Sequence, residues 1–162
     1  MISWRSHPKL KGKLLAQDSD ELQIIAHDGG PALTNRRPEL VSVRVTDFDG
    51  VVFVGRVLHQ PIQLRTIQLG QQIRFIIPDG SVHPVLVTEK YLLERSRWTI
   101  DPCQKCGFSE LFDPPSDLIR ASSPGFCSSS DIQSFESACP RCGGPIRIHS
   151  NNTSPGAVRT GI

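Results

Sequence analysis

The chain has 162 residues, 38% of them apolar and 21% charged, with 13 glycines and 13 prolines. That length suits one ordinary domain or two small ones, and that composition excludes a large helical bundle. The net charge of +2 is spread evenly, six basic against four acidic residues in 1–37, seven against six in 38–100 and five against six in 101–162. No segment has the basic concentration that binding to a phosphate backbone requires, so nucleic acid is disfavoured as a partner.

Residues 1–20 form a basic N-terminal segment in which Arg5, Lys9, Lys11 and Lys13 lie near Trp4. A few solvated lysines account for it more simply than a nucleic-acid contact does. The segment has no apolar run of the kind that forms a signal-peptide core. The longest uncharged apolar stretch, Val51 to Gly55, is far short of the ~20 residues that cross a bilayer. The expectation is a cytoplasmic chain without a membrane partner, and in a reducing compartment paired cysteines hold metal more often than they form disulfides.

From Leu22 to Thr88 the sequence alternates with period two and is rich in β-branched residues, which predicts an antiparallel β-sheet domain over 21–98. Its strands are Leu22 to His27, Leu40 to Thr46, Val51 to Leu58, Gln71 to Ile77 and Val82 to Thr88. Val41, Val43 and Val45 alternate with Ser42, Arg44 and Thr46, so one face is buried and the other solvated. Asp47-Phe48-Asp49-Gly50 and Pro78-Asp79-Gly80-Ser81 read as hairpin turns. Gly55 would permit a close backbone approach in a bent strand, and Pro84 would confine the last strand to an edge. Thr88 is placed to cap a short helix through Arg95, with Leu92 and Leu93 facing the sheet.

After Trp98 serines become frequent, and all five cysteines fall between Cys103 and Cys142, marking a second module over 99–148. Residues 149–162 are polar and without periodicity, which predicts a disordered tail. Within the module, Cys103-Gln-Lys-Cys106-Gly107 is matched by Cys139-Pro-Arg-Cys142-Gly143. Two intervening residues let both sulfurs of a knuckle converge on one ion, and the following glycine adopts the turn that aims backbone N–H groups at them. Four sulfurs leave no open coordination position, so the predicted site is structural zinc on Cys103, Cys106, Cys139 and Cys142. The 32 residues between Cys106 and Cys139 exceed the usual zinc spacing, and four thiolates also suit the single iron of rubredoxin-like proteins. Zinc is preferred because a serine-rich loop interrupts the module, whose aromatics are Phe108, Phe112, Phe126 and Phe135. A redox Cys-x-x-Cys is disfavoured because neither motif starts a helix in a βαβ unit. Cys127 has no second cysteine at knuckle spacing and reads as a free thiol in a loop.

His7, His27, His59, His83 and His149 are scattered and lack ligand spacing. His27-Asp28-Gly29-Gly30-Pro31 reads as a turn, with anion binding as the alternative. There is no phosphate loop, no dinucleotide fingerprint and no nucleophile elbow. Hydrolase and nucleotide-binding classes therefore have nothing to rest on.

The run Leu22 to Pro31, then Pro38-Glu-Leu-Val-Ser-Val-Arg-Val-Thr46, Phe53-Val-Gly-Arg-Val-Leu-His-Gln-Pro61 and Leu69-Gly-Gln-Gln-Ile-Arg-Phe75, resembles the YegJ-like bacterial domain of unknown function over about half the chain. Cys103 to Ile119 resembles the zinc-ribbon extension of its longer bacterial relatives. The resemblance implies a fold and no activity. The expectation is thus an α+β protein, a small, strongly bent antiparallel sheet followed by a zinc-ribbon-like module. Its expected function is non-enzymatic, a zinc-binding module whose partner is a protein, with a rubredoxin-like electron carrier and a nucleic-acid-binding ribbon as alternatives.

Overall fold

A computed structural model describes residues 7–10, 13–14, 20–78, 81–122 and 132–151. The chain divides into two compact units, one comprising residues 1–28 and 34–87 and the other residues 29–33 and 88–162. Among the described residues no helix is long and apolar enough to cross a membrane.

The first unit is built from β1 (Glu21–Ala26), β2 (Glu39–Phe48), β3 (Phe53–Val57), β4 (Gln72–Ile76) and β5 (Val85–Val87). Each consecutive pair is antiparallel, so an odd count of five leaves β1 and β5 pointing the same way, and they close the sheet through the parallel pair Ile25↔Val85. The expected bent antiparallel sheet is therefore a closed five-stranded barrel. Pro84 does not mark an edge as the sequence suggested. It lies just before β5, where the N–H it lacks is not needed, and its carbonyl accepts from the Ile25 N–H at 2.8 Å.

The alternation of β2 sets the interior. Val41, Val43 and Val45 are buried while Arg44 and Thr46 face solvent. In register, Val43 lies between Leu22 and Val57, and Val45 opposite Gly55. A Cβ on Gly55 would lie 3.0 Å from the Arg44 carbonyl oxygen and 3.5 Å from the Phe75 ring, so this position needs the close approach that only glycine allows. A register shift between Val45 and Asp47 bends β2 into its turn, where the Asp49 carboxylate accepts from the N–H groups of Val51 and Val52. Phe53 and Phe75 stack with centroids 5.5 Å apart in the core.

The N-terminal segment is not merely a solvated basic string. Leu10, in a 3-10 turn at Pro8–Leu10, is buried in the barrel core, and the His7 ring packs edge-on against Phe48 and Phe53. Lys9 Nζ donates to the Ile77 carbonyl, and Lys13 Nζ to those of Ser81 and Val82. Lys9 and Lys13 are both spent on carbonyls at the end of the barrel.

The second unit contains α1 (Glu89–Arg95), β6 (Trp98–Ile100), α2 (Pro115–Ser122), β7 (Ser134–Ala138) and β8 (Pro145–Ser150). Thr88 caps α1 as expected, its Oγ1 accepting from the Tyr91 N–H. The buried face of α1 differs from expectation. Tyr91 is 1% exposed and Leu93 62% exposed, because the Tyr91 hydroxyl donates to Glu110 and accepts from the Leu111 N–H, partners that no sequence periodicity reveals. The unit begins at Thr88 rather than after Trp98, since Trp98 pairs with Ser150 and its ring meets Phe135 edge-on at 5.5 Å. β8 is the central strand of three, antiparallel to β6 and β7. The predicted disordered tail therefore starts too early. His149 and Ser150 lie in β8, and His149 Nε2 bonds Asp101 at 2.8 Å. Residues 152–162 and Cys127 lie outside the described residues.

Candidate metal centre

Each knuckle is a closed turn with the same wiring. The Gly107 N–H donates to the Cys103 carbonyl and the Cys103 N–H to the Phe108 carbonyl, just as Gly143 donates to Cys139 and Cys139 to Gly144. Gly107 and Gly143 adopt φ of 83° and 81°, the left-handed conformation the sequence pattern predicted there. The turn leaves inward-pointing N–H groups, and these reach the sulfurs. Lys105 and Cys106 donate to Cys103 Sγ at 3.3 and 3.5 Å, Arg141 to Cys139 Sγ at 3.4 Å and Gly144 to Cys142 Sγ at 3.3 Å.

The two turns bring their sulfurs together. All four Sγ atoms lie within 4.8 Å of one another, and across the knuckles Cys103 meets Cys142 at 3.4 Å and Cys106 meets Cys139 at 3.6 Å. Sulfurs ~2.3 Å from a tetrahedral ion stand ~3.8 Å apart, so this set is positioned to hold a metal ion. Among the described residues no other cluster of His, Cys, Asp and Glu converges in this way.

Without a cation Cys139 and Cys142 resist ionising beside Cys103. Burial opposes ionisation of Cys103, but the N–H groups of Cys106 and Lys105 outweigh it and hold the thiol down at about 6. Burial pushes Cys139 up to about 12 despite the N–H groups of Cys142 and Arg141. The Gly144 N–H lowers Cys142, yet burial and the Cys103 and Cys106 sulfurs leave it raised. The Cys103 thiolate is favoured while those of Cys139 and Cys142 are penalised, and a divalent ion at the centre would reverse that penalty.

Gly144 is the position packed against the sulfur cluster that the sequence reading missed. A Cβ there would lie 2.7 Å from Lys105 Cβ, 2.9 Å from Cys103 Sγ and 3.3 Å from Cys142 Sγ. The doubled glycine after Cys142 was the available signal. Arg141 lies over the Phe108 ring at 5.6 Å, and Phe108 in turn meets Phe112 edge-on.

The His27 to Pro31 candidate resolves into a structural role. His27 is buried, with Nε2 2.9 Å from the Leu86 carbonyl, and burial lowers its pKa to about 4. The Asp28 carboxylate accepts from Arg36 Nε, from the Arg65 and Thr66 N–H groups and from Thr66 Oγ1. The Gly30 N–H, the donor an anion site would have used, goes to the Asp113 carboxylate at 2.7 Å. A Cβ on Gly29, at φ 117°, would meet Asp113 Oδ1 at 2.6 Å. This segment is a turn whose donors the chain itself consumes.

No family model matches the chain, and no curated protein or solved structure does either. The likeness to the YegJ-like domain rests on its short residue runs alone.

Proposed function

We propose that the chain is a non-enzymatic, cytoplasmic zinc-binding protein whose second unit serves as a protein-interaction module. The convergence of four sulfurs, with two matched turns donating N–H groups to them, carries this reading. A complete set of protein ligands leaves a bound zinc no position for substrate, so the ion contributes folding free energy, about 10 kcal/mol or more, rather than chemistry. The second unit is small and needs such a staple.

A non-enzymatic role is supported by how the reactive side chains are used. His27, His149 and His7 are engaged by a carbonyl, a carboxylate and an aromatic cluster, and Glu110 is committed to Tyr91 and Arg95. A protein partner is favoured over nucleic acid by the five basic against six acidic residues in 101–162. The purified full chain tests the reading by its visible spectrum and by reductive titration. A colourless protein that takes up no electrons is expected, whereas a red one that bleaches on reduction would replace zinc with iron and the interaction module with an electron carrier.

A further inference from the structure

The four cysteines are not equivalent. Cys103 and Cys139, the first of each knuckle, are buried, while Cys106 and Cys142, the second of each, are open to solvent. Solvent access is what a cysteine sulfur needs to meet a dissolved electrophile. Across the knuckles each open sulfur meets a buried one, Cys139 at 3.6 Å from Cys106 and Cys103 at 3.4 Å from Cys142.

We propose that Cys106 and Cys142 are modification sites for hydrogen peroxide, and that their oxidation closes the cross-knuckle disulfides Cys106–Cys139 and Cys103–Cys142 and frees the ion. This rests on the metal-centre reading above. The sulfur of Cys106 attacks one peroxide oxygen, the O–O bond breaks, hydroxide leaves and a sulfenic acid remains. The Cys139 sulfur then attacks the sulfenic sulfur, forming the S–S bond and expelling a second hydroxide. Cys142 and Cys103 repeat the sequence. Two peroxides are thus reduced to four waters, with four protons taken from solvent, four thiolates are oxidised to two disulfides, and one divalent ion is released.

The test uses the full chain carrying Cys127→Ser, so that the fifth thiol cannot enter the pairing. Metal content is measured first, then hydrogen peroxide is titrated in while a chromophoric chelator reports the freed ion and peptide mapping reads the disulfides. The expected result is one ion released per two peroxides, with Cys103 joined to Cys142 and Cys106 to Cys139. Retention of the ion in loaded protein, or disulfides within the knuckles, Cys103–Cys106 and Cys139–Cys142, would overturn the proposal and leave the metal reading standing. Protein without metal before peroxide is added would refute both.

Discussion

Acid should weaken the barrel through one side chain before it touches any carboxylate. His27 is 3% exposed, and its Nε2 faces a carbonyl oxygen, which only accepts, so Nε2 carries the proton of a neutral ring. Burial outweighs the raising effects of the Leu86 carbonyl and of Asp28, and the folded pKa is about 4 against 6.5 in the unfolded chain. The unfolded state therefore takes up the proton first. The stabilisation is complete above pH 6.5 and is lost as pH falls toward 4, about 2 kcal/mol by pH 5 and about 3 kcal/mol by pH 4. Asp28, held down at about 2 by its hydrogen bonds despite burial, adds a further loss only below its unfolded value of 3.8. The assay is urea unfolding at pH 8, 6 and 5, read by NMR at the amides of Val43, Val57 and Phe75, because the sulfur cluster also takes up protons in acid. His27→Gln keeps a donor for Leu86 without a titrating ring, and its stability between pH 8 and 5 should be nearly flat. Parallel pH dependence in the two proteins would refute the reasoning.

Gly144→Ala should weaken metal binding at least about tenfold in competition with a chelator, since its methyl would displace Lys105 Cβ or Cys103 Sγ. Gly143→Ala, with open space at its Cβ but φ of 81°, should cost about 1 kcal/mol of stability and leave affinity within about threefold of the native chain. Tyr91→Phe removes the hydroxyl between Glu110 and the Leu111 N–H and should destabilise the second unit by about 1 to 3 kcal/mol in urea. Removing the ion, or substituting Cys139→Ser, should abolish hydrogen-exchange protection in β6, β7 and β8 and leave that of β1 to β5. Equal loss across Leu22 to Thr88 would mean that the barrel depends on the metal.

The strands of the first unit were legible because Val41, Val43 and Val45 repeat with the strand period and face one core. Barrel closure was not, since it rests on the single pair Ile25↔Val85, sixty residues apart in sequence, which local alternation does not encode. The buried Leu10 was hidden for a related reason. One apolar residue among lysines carries no periodicity, and its place depends on a core assembled by distant strands. The pairing of the four clustered cysteines into two knuckles was legible because each knuckle is local chemistry within five residues. What brings the two knuckles together, β8 between β6 and β7, was obscured by a final strand, Pro145–Ser150, too short and too polar at its end to stand out from the tail. The orientation of α1 was missed because a buried tyrosine that links a carboxylate and a backbone N–H outweighed two leucines.

Elemental analysis of the full chain against two cysteine variants tests the metal centre most directly. The native chain and Cys127→Ser should each retain one metal ion, and Cys139→Ser, left with three ligands and an open position, should lose it on dialysis against chelator. Loss of the ion from Cys127→Ser, or its retention by Cys139→Ser, would contradict the assignment of Cys103, Cys106, Cys139 and Cys142 as the ligands.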